Sequence, residues 1–472
     1  METRVKITYI PTESIEEFGS FKISFIDFNG ALRSTGLKFN PKALWSFARD
    51  SNSVAFDFLI LAFIIYNTDR AINRIANSID GWKRNIVLEN VPCVNFDKMS
   101  NSKSLFQHAI NFLTGDDWLI NFEKIATYNY SPTKNIKDYN RTEYGNVALF
   151  SGGLDSLIGF IDKAFELDEH KKILLVSHME LGKERGDQEG ILEYCRSHNI
   201  FTGKYSQILL NAGLKRSSWN IPTKAESTFR ARSLLFFAAG IYCAHIIDVH
   251  MPLIVPENGT ISINVPLDKG RRSSCSTRTT HPTFIKRLER ALQSIGIDNP
   301  IINPYSLMSK ADMMKKCSED VSKKEILEAL TPLSCSCAKR GHNSFWDKPG
   351  SEIHKNHICH CGMCLPCLYR RVALDAVDWD NAKLFGTDVF HGIKYNLEKK
   401  KQKRNRDFNA LLRFINLRMN ENYIRSELFI NGITESDGLS KYVSMILHSY
   451  NQVKDWIIKN GSISIRNKAG IK

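Results

Sequence analysis

The chain is expected to be an α/β protein: a parallel sheet with helices on both faces, joined to a small zinc knot, an N-terminal α+β region and a C-terminal helical region. Three observations predict this. Between residues 146 and 247, short unalternated apolar runs (NVALF, KILLVSH, YSQILL) alternate with helical segments, the texture of strands buried on both faces. Six of the eleven cysteines lie between 335 and 367, a clustering that favours metal over disulfides in a large chain. Beyond residue 383 the apolar residues recur with helical period, as in DFNALLRFINLRM.

Taken in order, RVKITYI, FKISFIDF and STGLKF alternate like half-buried strands, a helical block follows over roughly 53–80, and NIVLENV reads as a further strand. Cys93 in this region reads as a core residue. The polar, turn-rich stretch 131–145 reads as a linker. The expected organisation is therefore an N-terminal domain over 1–140, a central domain over 141–382 and a helical region over 383–472. In the central domain, helices are expected after each apolar strand, the longest running from about Lys224 to Ala244. Ligands of such sheets bind at the carboxyl ends of the strands.

The formal charge of +14 suits nucleotides and other anionic ligands, nucleic acid, or simple solubility. The basic run KKKQKRNR (399–406) reads as a solvated face or loop, with nucleic-acid contact as the alternative. The apolar runs FLILAFIIY (58–66) and SLLFFAAGIYCAHII (233–247) fall short of the roughly 20 residues of a membrane span, so they are expected as buried core helices. No secretory leader is visible at METRVKITYI. The chain is expected to be cytoplasmic, with no membrane association.

The loop after the first central strand reads Ser151-Gly152-Gly153-Leu154-Asp155-Ser156. Adjacent glycines let backbone amides approach a phosphate, and the helix that follows presents free N–H groups and a positive dipole end. The loop lacks the lysine and spacing of a Walker A motif and is not G-x-G-x-x-G. It resembles the SGGxDS signature of the PP-loop ATP pyrophosphatases, which implies a HUP-type adenine-nucleotide-binding fold and ATP-to-AMP chemistry. By that resemblance Ser151, Gly152, Gly153, Leu154 and Ser156 would hold pyrophosphate, and Asp155 would help organise it or its Mg²⁺. Ser177 and His178, at the end of the second strand, would meet the adenine.

In CHCGMCLPCLYRR, Cys361, Cys364 and Cys367 are each three apart, and LSCSC supplies Cys335 and Cys337 upstream. Four thiolates make a closed tetrahedral zinc site, with an iron–sulfur cluster as the alternative. Cys335 or Cys337 is the natural fourth ligand, and Cys359, His357 and His360 lie close enough to compete. Loop and knot together resemble the 7-cyano-7-deazaguanine synthases (QueC) over roughly 145–380, with Cys335, Cys361, Cys364 and Cys367 on the four metal positions, Lys310 on the family's lysine and Arg232, with Arg230 near it, on its substrate-side arginine. The family's Tyr-Pro-Asp-Cys-Arg run is absent. In its place the chain reads IVPENGTISINVPLDKGRRSSCSTRTTHP. VPENG, with Glu257 and Asn258, and the long extra ends resemble the enlarged QueC-like branch found in bacterial anti-phage operons (QatC-like).

The resemblance implies ATP-dependent adenylation of a deazapurine carboxylate and acyl transfer to an amine, giving an amide or a nitrile, with ATP, Mg²⁺ and Zn²⁺ as cofactors. Asp155 and Lys310 would be catalytic, and Arg232, Glu257 and Asn258 would hold the substrate. Arg271, Arg272 and Arg278 could add charge from the substrate loop. The altered loop and added regions suggest a protein amine as acceptor, supplied by a defence-operon partner. The alternatives are a PP-loop enzyme modifying tRNA and a non-catalytic nucleotide-binding scaffold.

Overall fold

The structure is a computed structural model and describes residues 2–45, 50–133, 139–180, 182–268, 278–339, 346–347, 360–391 and 405–471. Arg271, Arg272, Cys275, His357, Cys359 and most of the 399–406 basic run lie outside the described residues.

Alternation builds the first strands. In β1 (Glu2–Ile10) and β2 (Ser20–Ile26), Val5, Ile7, Phe21, Ile23 and Phe25 point inward while the intervening residues face out. β3 (Leu32–Asn40) follows a turn that Asp27 closes by accepting from the backbone N–H groups of Asn29 and Ala31, at 2.9 and 3.0 Å. β4 (Asn85–Cys93) and β5 (Asp117–Lys124) add in parallel beside β1. β6 (Tyr144–Leu149), β7 (Lys172–Met179), β8 (Tyr205–Leu214), β9 (Leu253–Ile254) and β10 (Ile301–Ile302) form the parallel half. All ten belong to one sheet, ordered β10-β9-β6-β7-β8-β3-β2-β1-β4-β5, parallel except for the β8–β3–β2–β1 pairs.

Two features of this order matter for function. The sheet does not break near residue 140: Leu37–Asn40 of β3 pair with Asn211–Leu214 of β8, so the first 140 residues and the central region share a sheet and a core. Within the parallel half the chain builds outward from β6 in one direction (β7, β8) and then in the other (β9, β10). The carboxyl ends of β6 and β9 therefore flank the point where strand order reverses, the place where open α/β sheets bind ligands.

Both faces are covered. On β6 and β7, Val147, Leu174 and Val176 enter one core, while Ala148, Ile173 and Leu175 enter the other. The first core takes helices Val54–Ala71 and Arg232–Ile247, which pack on each other and hold the two apolar runs of the sequence. No helix among the described residues is long and apolar enough to cross a membrane. The second core takes Leu154–Glu166 and the C-terminal helices Arg406–Leu417, Glu421–Ile430 and Leu439–Asn460.

One boundary differs from expectation. The long helix begins at Arg232, eight residues after Lys224. The Glu226 carboxylate accepts from the N–H groups of Ser227, Thr228 and Arg74, and Phe229 sits at φ +50. Side-chain capping of a turn here outcompetes helix propagation.

Candidate functional site

The glycine loop leaves β6 at its carboxyl end. Gly152 has φ +77, and a Cβ there would press on the backbone of Asp187 and Gln188 at 3.3 Å, so only glycine fits. Gly153 is the N-cap of Leu154–Glu166 and brings no capping side chain. Its carbonyl accepts from Leu157 N–H and Ser156 Oγ, both at 2.9 Å. Ser151 is exposed, with its Oγ 3.3 Å from that of Ser156. The first-turn amides thus meet a loop with two hydroxyls beside it, an arrangement suited to an anion.

Asp155, on the first turn, points into the protein. Lys310 pairs with one carboxylate oxygen, and Asn258 Nδ2 donates to the other at 2.7 Å. Each partner is fixed by its own backbone. Lys310 opens helix Lys310–Ser318, where Ser309 and Asp312 form a reciprocal capping box. Asn258 follows β9 and caps helix Gly259–Ile263 through its Oδ1, which accepts from Ile261 N–H at 3.0 Å. The half-buried Glu257 carboxyl hydrogen-bonds Asp155 and accepts from Asn258 Nδ2 at 3.3 Å. Burial alone would raise Asp155, but the Lys310 charge, with hydrogen bonds from Glu257 and Asn258, outweighs it and holds the group down to about 2. Burial and the Asp155 charge push Glu257 well above the carboxylate range, so Glu257 carries the proton of the pair. The loop, Asp155, Glu257, Asn258 and Lys310 thus converge at the switch point between β6 and β9.

Ser177 and His178 sit one strand over, with Arg232 beside them. Expected to face adenine, both side chains are buried and committed to protein partners. Ser177 Oγ donates to Phe150 O at 2.7 Å and accepts from Gln207 Nε2. His178 Nε2 donates to Ala212 O at 2.8 Å, while Nδ1 accepts from Arg232 Nε at 3.4 Å. Burial, reinforced by the Arg232 charge, pulls the imidazole down to about 3, so it stays neutral. Half-exposed Arg232 lies 5.5 Å from the Phe236 ring.

The N-terminal helix also reaches this strand end, which the sequence reading missed. Tyr66 Oη donates to Glu180 Oε2 at 2.5 Å, Arg70 Nη2 lies 3.4 Å from Glu180 Oε1, and Arg70 covers the Phe229 ring at 3.9 Å. The signal available was the polar run YNTDR near the end of a helix whose only other polar side chain is Asp57.

Cys337, Cys361, Cys364 and Cys367 form a group that could hold a metal ion, their sulfurs all lying within 4.8 Å of one another. Cys361–Cys367 is 3.8 Å and Cys364–Cys367 is 3.3 Å. A tetrahedron with Zn–S near 2.3 Å has S···S edges of about 3.8 Å. N–H groups of Met363 and Cys364 aim at Cys361 Sγ, and those of Cys361 and Lys339 at Cys337 Sγ, at 3.3–3.4 Å. The donor set therefore fits a metal such as zinc. Cys335, placed on the fourth position by resemblance, is not in the group. Its backbone N–H donates to Gly152 O at 2.8 Å, and the turn that follows delivers Cys337 instead. Gly362 permits the knuckle, with φ +77 and no room for a Cβ against Thr387 O. Buried Arg370, lowered to about 10 by burial, fastens segment 331–336 by donating to Ser334 Oγ, Ser336 Oγ and Thr331 O. The metal-binding group is thus tied, through Cys335, to the glycine loop.

No protein-family model matches the chain, and no curated protein matches it.

Proposed function

We propose that this chain is an ATP-dependent adenylating enzyme that activates the carboxylate of a deazapurine of the 7-carboxy-7-deazaguanine type and passes the acyl group to an amine. The observation that carries this reading is the convergence of the uncapped glycine-loop helix with Asp155, Lys310 and Asn258 at the sheet's switch point. In the proposed reaction a carboxylate oxygen attacks the α-phosphorus, and pyrophosphate leaves with the P–O electron pair. The amine nitrogen then bonds to the acyl carbon, AMP leaves with the C–O pair, and the nitrogen loses a proton.

Activation is needed because a carboxylate oxygen leaves poorly and AMP leaves well. Charge builds on the phosphates, and the residues act on that charge. The Gly152–Ser156 amides and the hydroxyls of Ser151 and Ser156 would bind the pyrophosphate end. Mg²⁺, when bound, would neutralise phosphate charge with Asp155 as its protein carboxylate. Lys310, paired with Asp155 on the first turn after the loop, would bring its ammonium to the developing phosphate charge. Arg232 would meet the acid's carboxylate, and Glu257 and Asn258 would border the acceptor side. The four-cysteine group would serve structurally, bracing the segment bound to Gly152.

The replaced substrate loop and the extra ends support a protein amine as acceptor, in the manner of a defence-operon conjugating enzyme. The test is to incubate the chain with ATP, 7-carboxy-7-deazaguanine and candidate partner proteins, and to measure pyrophosphate, AMP and protein masses. The reading expects pyrophosphate release that depends on the acid. Free nitrile with unchanged protein masses would remove the conjugation step, and no release with any deazapurine acid would remove the activity.

A further inference from the structure

Gln188 is 1% exposed, yet its Oε1 is buried with no hydrogen-bond partner. Its Nε2 is committed, donating to His178 O at 3.2 Å. That bond fixes the amide orientation: turning it over would set oxygen against oxygen. Its Cγ lies only 3.3 Å from where a Cβ on Gly152 would stand. The free acceptor is therefore held between the glycine loop and the carboxyl end of β7. An orphaned buried acceptor is costly and calls for a partner.

We propose that Gln188 Oε1 accepts a hydrogen bond from a ribose hydroxyl of the bound nucleotide. This rests on the adenylating reading above. A nucleotide whose phosphates sit on the 154–166 helix start extends its sugar toward the second strand. In dinucleotide-binding sheets an acceptor at that strand end takes the ribose hydroxyl. A phosphate oxygen offers no proton to Oε1, whereas a hydroxyl does. The amide is neutral, so it adds no repulsion beside a triphosphate.

The experiment measures binding of ATP, 2′,3′-dideoxy-ATP and inorganic tripolyphosphate to the full chain by calorimetry. The wild type should favour ATP over the dideoxy analogue by about tenfold, the worth of one hydrogen bond. Gln188→Met keeps the shape and removes the acceptor: ATP should weaken to the dideoxy level, and tripolyphosphate should bind as before. A Gln188→Met variant that binds ATP as the wild type does, or that still prefers ATP to the analogue, overturns the proposal. A wild type that binds neither nucleotide nor tripolyphosphate overturns the adenylating reading instead, a distinct result.

Discussion

At the scale of single residues, Lys310 sets the charge state of Asp155. A buried carboxylate beside a second carboxyl would take up a proton. Lys310 keeps Asp155 ionised, and Glu257 holds the proton instead. Replacing Lys310 by Met should therefore lower acid-dependent pyrophosphate release by roughly a hundredfold, the usual cost of removing one donor to developing charge. Release within tenfold of wild type would place Lys310 outside the chemistry. Cysteine substitutions separate the two candidate fourth ligands. Cys337→Ser should lower bound metal per chain, measured by elemental analysis, whereas Cys335→Ser should leave it unchanged. His178 yields a pH signature. It is held near 3 in the fold, against 6.5 when exposed, so the unfolded chain binds a proton that the native chain cannot. Stability should fall as pH drops from about 6.5 toward 3, by up to ~1.4 kcal/mol per pH unit from this group. Denaturant titrations of His178→Gln should show a shallower fall over that window, and an unchanged slope would contradict the assignment.

At the scale of elements, the site depends on tight turns and on helices that brace it from behind. Gly362→Ala forces a positive φ on alanine and drives its Cβ into Thr387 O. It should cost more than ~1 kcal/mol and loosen the metal group. Gly186→Ala is the contrast: it lies in helix Gly182–Ser197 with nothing within 4 Å of the new Cβ, and should stabilise by up to ~1 kcal/mol. Thermal melts of the two variants check both directions. Helix Leu439–Asn460 braces both site-bearing helices. Ser449 meets Thr260 at 2.7 Å, and Gln452 meets Ser309 at 2.6 Å and Asp312 at 2.7 Å. The sheet's long edge is managed as well: Asn111 and Gln107 accept from the outward N–H groups of Trp118 and Ile120, both at 2.9 Å, which denies that edge to another strand. The loop and seven of the ten strands were legible in the sequence because glycine pairs and apolar periodicity are local signals, whereas β5 and the two-residue β9 and β10 were not anticipated. The start of the long helix was not, since it is set by the Glu226 side chain folding back on its own turn. The choice of Cys337 over Cys335 was hidden for a similar reason: it depends on one backbone bond to Gly152, and two cysteines two residues apart carry identical spacing information.

For the whole molecule, the expected division at residue 140 describes the sequence texture better than the physical units. β3 closes the edge of β8, and the helix 54–71 fills the core that the helix 232–247 would otherwise leave bare. Residues 141–472 expressed alone should therefore fail to fold, as read by near-ultraviolet dichroism and amide dispersion. A folded fragment would contradict the shared core. Such long-range sharing is invisible to local patterning, as is the delivery of Tyr66 and Arg70 to the end of β7. The proposed activity is the activation of a carboxylic acid with ATP at the loop after β6. Its most direct test is pyrophosphate release by the purified chain given ATP and 7-carboxy-7-deazaguanine. Release should require the acid and should be lost in Asp155→Asn. Release that ignores the acid, or persists in Asp155→Asn, would contradict it.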